Sequence, residues 1–141
     1  MKLNHTKALI VLIIGIMAIS CSKNSSSNST TNNDGSTTTN TWVKLTAITS
    51  AGVAKPNYII MMFDQPVTST SALPPIKKQV LTDANGMAYF DLNPIITSSS
   101  PTTYYFEAFT QTGANYEWKS VTHFDANLSK GTMVTGSIIV D

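Results

Sequence analysis

Hydrophobic and polar positions divide the chain into three textures. Ala8 to Ile19 is an unbroken run of apolar residues and glycine, and residues 22 to 40 carry no apolar side chain at all. From Thr41 onward, short stretches rich in Val, Ile, Thr, Tyr and Phe are separated by clusters of Gly, Pro, Asn, Asp and Ser roughly every ten residues, which is the pattern of an all-β domain. It predicts strands over Trp42–Ile48, Asn57–Asp64, Ile76–Leu81, Met87–Leu92, Thr103–Thr110, Glu117–Phe124 and Met133–Val140. Val43, Leu45 and Ala47 alternate with Lys44 and Thr46, which gives one buried and one wet face. Ile59-Ile60-Met61-Met62-Phe63 does not alternate, so it predicts a central strand covered on both faces, by the opposite sheet and a loop or by a partner protein. No stretch after residue 40 sustains a helical period. The expectation is a seven-stranded Greek-key sandwich over residues 41–141.

The polar segment before it cannot offset the entropy of ordering its backbone, and it predicts a disordered Ser/Thr/Asn tether over residues 21–40. Such a chain spans roughly 25 Å by random-coil scaling. Two sequons, at Asn24 and Asn28, follow from that composition alone.

The apolar run at the start is too short to cross a hydrocarbon core of about 30 Å as a helix. Lys2 and Lys7 precede it, small Ser20 follows, and Cys21 is the only cysteine in the chain. That is the layout of a secretory signal peptide over residues 1–20. A buried core helix would find only polar low-complexity sequence beside it. An incidental cysteine would leave a lone thiol in an oxidising envelope. Ala18-Ile19-Ser20-Cys21 resembles the lipobox of bacterial lipoproteins. The resemblance implies cleavage before Cys21, acylation of its thiol and anchoring in a membrane. Ser22 resembles the residue that permits sorting to an outer membrane, and Ser22 to Asn33 lacks the acid-rich stretch associated with surface export in some lineages. The implied location is the outer membrane, facing the periplasm.

Charge narrows the partners. Without residues 1–20, seven lysines face eight acids, a formal charge of 7 − 8 = −1, and the chain has no arginine. The planar fork used for phosphate recognition is absent, so nucleic-acid binding has no support. No disulfide can form within the domain, and its stability must come from apolar burial.

Asp83-Ala84-Asn85-Gly86 predicts a tight hairpin between Val80-Leu81 and Met87-Ala88-Tyr89-Phe90, with positive φ supplied by Asn-Gly. A calcium loop would need a bidentate Glu farther on, where the sequence instead alternates as a strand. The string Thr82 to Leu92, followed by Thr103-Tyr104-Tyr105-Phe106-Glu107-Ala108, resembles transthyretin-like sandwich modules, including carboxypeptidase regulatory-like and collagen-adhesin B-type repeats. The resemblance implies an immunoglobulin-like or transthyretin-like sandwich. The Pro-Gly that usually precedes the tyrosine strand is missing, Pro94 and Pro101 enclosing a Ser/Thr loop instead, and no internal isopeptide bond is expected.

Catalytic chemistry has little to stand on. His123 is the only histidine after the signal segment, and neither a Gly-x-Ser-x-Gly elbow nor a His-x-x-x-His pair accompanies it. On a strand beside Val121 and Phe124 it reads as a surface or half-buried residue. No metal site and no cofactor is expected. Asp64, Asp91, Glu107 and Glu117 are the carboxylates that would have to converge for a hydrolase. Trp42, Tyr105 and Trp118 are the candidate binding aromatics, suited to sugar stacking or a protein interface if exposed and to the core if not. Pro66, Pro74 and Pro75 bracket a loop that would cover a sheet edge or form a binding rim. The expectation is a non-enzymatic binding or accessory module, held to the membrane through lipidated Cys21 and contacting an envelope protein or glycan. A small carboxylate-dependent hydrolase and a purely structural spacer are the alternatives.

Overall fold

Alternation of side chains sets the first strand, β1 (Trp42–Ile48), where Val43, Leu45 and Ala47 are fully buried while Trp42, Lys44 and Thr46 take the other face. The computed structural model describes residues 39–141. The segment expected as a signal peptide, Cys21 and the expected tether up to residue 38 lie outside the described residues. Beyond β1 the strands are β2 (Ile59–Phe63), β3 (Lys78–Leu81), β4 (Met87–Asp91), β5 (Thr102–Thr112), β6 (Asn115–Trp118), β7 (Phe124–Leu128) and β8 (Met133–Ile139). No helix occurs among the described residues. The fold is an all-β sandwich of a three-stranded sheet, β4-β1-β8, and a five-stranded sheet in which β3-β2-β5-β6 are neighbours in that order and β7 also pairs β5.

In the smaller sheet β1 lies between antiparallel β4 and parallel β8. In the larger sheet β5 has β2 on one edge, while the other edge is shared by β6 along Phe109 to Thr112 and β7 along Thr102 to Phe106. The main core fills the space between the sheets. Val43, Leu45, Ala88, Phe90 and Ile138 meet Ile60, Met62, Phe106, Ala108 and Leu128 there. Phe90 and Phe106 join the layers edge to face, with centroids 5.3 Å apart. Each such fully buried ring contributes about 1.5–3 kcal/mol of transfer free energy.

The continuous apolar run in β2 is covered on both faces, as its lack of alternation predicts. Ile60 and Met62 join the inter-sheet core, whereas Met61 and Phe63 lie under a second cluster with Val67 and Phe109 on the outer face. Val67 comes from the proline-bracketed loop, so that loop covers the sheet.

Two local expectations need correction. The Asp83 to Gly86 turn forms, with Gly86 N–H donating to Asp83 O at 2.9 Å and Asp83 N–H to Met87 O at 2.9 Å. It joins β3 and β4, which belong to different sheets, so it is a corner between layers and not a hairpin within one sheet. Within it only Gly86 has positive φ, at 72°, and Asn85 does not. The Asp83 carboxylate organises the corner by accepting from the Asn85 and Met87 amides at 2.9 and 2.8 Å. The second correction concerns Glu117–Phe124, expected as one strand. It is broken between β6 and β7, which makes eight strands in place of seven.

The break has a measurable register. Residue numbers of β5–β6 partners sum to 227, as in Phe109 with Trp118, and those of β5–β7 partners to 230, as in Phe106 with Phe124. The edge strand therefore carries three extra residues, a large bulge. Ser120 and Val140 form an isolated bridge, and Val121 N–H donates to Ile139 O at 2.7 Å, so the excursion is held by the end of the opposite sheet. Ser120 Oγ accepts from Ala108 N–H at 2.7 Å, replacing a lost ladder bond. An odd insertion reverses which residues face inward. Phe124 thereby enters the core, and Asp125 takes the outer face.

Candidate functional site

β5 places Phe106 and Ala108 in the main core, so Tyr105, Glu107 and Phe109 project from the outer face of the larger sheet. Glu107 stands opposite Met61 on β2 and between two aromatic residues on its own strand. A carboxylate in such surroundings must be hydrogen-bonded to be tolerated. Both of its oxygens are: Trp118 Nε1–H donates to Oε2 at 3.0 Å, and His123 Nδ1 lies 2.7 Å from Oε1. Among the described residues no buried side-chain nitrogen or oxygen lacks a partner.

Each donor owes its position to the edge strand. Trp118 is the last residue of β6, paired with Phe109, and its indole lies over the outer face. His123 ends the bulge one residue before β7, and the excursion returns it over Glu107, with its ring 5.6 Å from that of Trp118. The Glu107 side chain is 3% exposed and that of His123 is 61% exposed. The pair thus runs from the interior to solvent. When Glu107 is ionised, the proton of a neutral imidazole sits on Nδ1, which leaves Nε2 as the ring's acceptor.

An open recess of about 220 Å³ lies at this point, lined by Pro66, Val67, Tyr105, Glu107, His123 and Asp125. Asp125 faces Tyr105 across the β5–β7 pairing. Its lining combines apolar surface from Pro66, Val67 and Tyr105 with an imidazole and two carboxyl groups. No lysine lines it. Such a recess can accept hydrogen bonds and attract positive charge. It contains no serine, threonine or cysteine nucleophile that His123 would activate.

Of the aromatics singled out from sequence, Tyr105 and Trp118 lie together around Glu107, both half-buried. Trp42 is on the other sheet. Its ring pairs with Tyr89, centroids 6.0 Å apart, and the Lys44 ammonium sits 5.7 Å from its centre. Tyr89 and Met133, 51% and 61% exposed, flank this second aromatic surface. Tyr89 was legible from the inward alternation of Ala88 and Phe90, which leaves Tyr89 outward. Asp125 carries no signal in the sequence, because its place on the outer face depends on the register reversal.

The acids do not converge. Asp64 pairs with Lys77 on the surface, Asp91 accepts from the Asn93 amide groups at the end of β4, and Glu117 pairs with Lys119 at 2.7 Å. Of Asp64, Asp91 and Glu107, only Glu107 lines the recess. Lys77 beside the Asp64 carboxylate lowers its pKa, and Glu117 beside Lys119 raises that of the amine. Among the described residues no three His, Cys, Asp or Glu side chains gather as metal ligands. Compared with known proteins, the chain matches no family model and no curated sequence.

Proposed function

We propose that the protein is a lipid-anchored envelope module that binds a partner through the recess on the outer face of its larger sheet, without catalysing a reaction. The observation that carries this reading is the recess itself. Its lining includes a buried carboxylate, Glu107, whose two hydrogen bonds hold Trp118 and His123 beside it. Fixed polar groups beside an apolar wall are the usual composition of a binding site. The lipobox-like Ala18-Ile19-Ser20-Cys21 supports anchoring through acylated Cys21, in the outer membrane and facing the periplasm, with the polar segment as tether. The two-sheet architecture and the tyrosine-rich β5 support a transthyretin-like relationship. The hydrolase alternative draws on the Glu107–His123 pair, but no serine, threonine or cysteine lines the recess and neither Asp64 nor Asp91 reaches it.

Two measurements on the full chain test the proposal. Metabolic labelling with an alkyne fatty acid is expected to mark the protein, and Cys21→Ser to abolish the label. A photo-crosslinking residue at Thr68, beside the recess, is expected to yield a discrete adduct in cells, while one at Thr135 on the opposite sheet does not. Equal adducts from both positions, or none from either, would overturn binding through this face.

A further inference from the structure

We infer that the recess receives one aliphatic cationic side chain, the lysine of a partner protein, a reading that rests on the proposed binding role of the same site. Size argues first. At about 220 Å³ the recess is smaller than the roughly 300–1,000 Å³ usual for small-molecule pockets, and it suits a single protruding side chain. Charge argues next. The lining holds Glu107 and Asp125, no lysine, and the chain has no arginine to supply a counter-charge. An anion would meet carboxylates, whereas an ammonium group would meet acceptors.

The geometry then selects the kind of cation. His123 Nδ1 is engaged by Glu107 at 2.7 Å, so that in the neutral ring Nε2 is the nitrogen left to accept, and the Asp125 carboxylate is on the same face. Two acceptors on separate side chains match a compact ammonium with three donors better than a planar guanidinium, which prefers both oxygens of one carboxylate. Pro66, Val67 and the Tyr105 ring provide apolar surface for the methylene stem, as long cationic side chains require. A sugar would use the same acceptors but would gain nothing from the excess of negative charge.

The test is a titration of the isotopically labelled full chain in detergent micelles, followed by amide chemical shifts. The probe is Nα-acetyl-lysine methylamide, with its Nε-acetylated form, the norleucine analogue and glucose as comparisons. The expected result is a saturable shift at Tyr105, His123 and Asp125 with the lysine probe alone. Asp125→Asn, an exposed substitution that leaves the Glu107 pair intact, is expected to weaken it about tenfold or more, since a charge-assisted hydrogen bond is lost. Equal shifts with the acetylated or norleucine probe, saturation by glucose, or no shift with lysine at millimolar concentration would overturn the inference. A crosslinked adduct from Thr68 would persist in each of those cases if only the nature of the ligand is wrong, so the two proposals fail separately.

Discussion

Glu107 Oε1 and His123 Nδ1 lie 2.7 Å apart although 16 residues separate them in sequence. The bulge between β6 and β7 creates that contact, and the contact in turn satisfies a carboxylate that the outer cluster would otherwise expel. His123→Ala is therefore expected to destabilise the domain by about 1–3 kcal/mol, because one oxygen of a buried acid loses its partner. Trp118→Phe removes the other donor and is expected to act similarly. Glu107→Met, which removes the acid itself, is expected to make the His123→Ala change nearly silent, a coupling of about 0.5–3 kcal/mol in a double-mutant cycle. Urea unfolding measures all of these. Additive losses would mean that the pair does not hold the bulge.

Gly136 has a different duty in the same region. It lies on β8 opposite Leu45, and a methyl group on it would overlap Phe124 Cε2 and stand 2.7 Å from Cζ. Phe124 is the residue that the odd bulge turns inward. Gly136→Ala is expected to cost about 1–3 kcal/mol through overpacking. Phe124→Leu in that background is expected to recover part of the loss, although alone it destabilises. Thermal melts of the four proteins provide the check, and a Gly136→Ala variant as stable as the parent would show that the ring moves freely.

Two turn glycines separate strain from crowding. Gly86 and Gly113 have φ of 72° and 61°. Around Gly113 an added methyl would meet nothing within 4 Å, whereas at Gly86 it would lie 2.7 Å from Ala47 O and 2.8 Å from Lys55 N. Gly113→Ala is expected to cost only the left-handed penalty of about 1–2 kcal/mol. Gly86→Ala should cost clearly more, because both neighbours are backbone atoms already bonded to each other, Lys55 N–H donating to Ala47 O at 2.9 Å. Equal unfolding free energies for the two variants would refute the crowding.

These features mark how far the sequence could be read. The β2 run announced its double burial because Ile60-Met61-Met62-Phe63 has no polar position for water to claim, and Trp42–Ile48 announced its faces by strict alternation. The corner after Asp83 was legible as a turn, but the pairing of its strands was not, since the local hydrogen bonds are the same whether the chain stays in one sheet or changes layer. Glu107 and His123 were each visible as titratable residues. Their meeting was not, because it depends on a three-residue register shift that Ser120 and the end of β8 stabilise from another part of the chain.

Asp64 and Lys77 supply a pH-dependent test away from the recess. Hydrogen bonding and charge from Lys77 lower the folded-state pKa of Asp64 below its ordinary value. A lowered carboxylate pKa means that the folded state favours the ionised form. The associated stabilisation is present above the unfolded pKa and disappears as pH falls through the lower folded value. The pair is exposed, so its contribution is small and screened by salt. A carbon-13 titration of the Asp64 carboxyl in the full chain is expected to give a midpoint below that of an unpaired aspartate, and Lys77→Met is expected to move it upward. Unfolding free energy at neutral pH should scarcely change. A midpoint that stays fixed on removal of the ammonium would show that the backbone at Asp64, and not Lys77, holds the acid ionised.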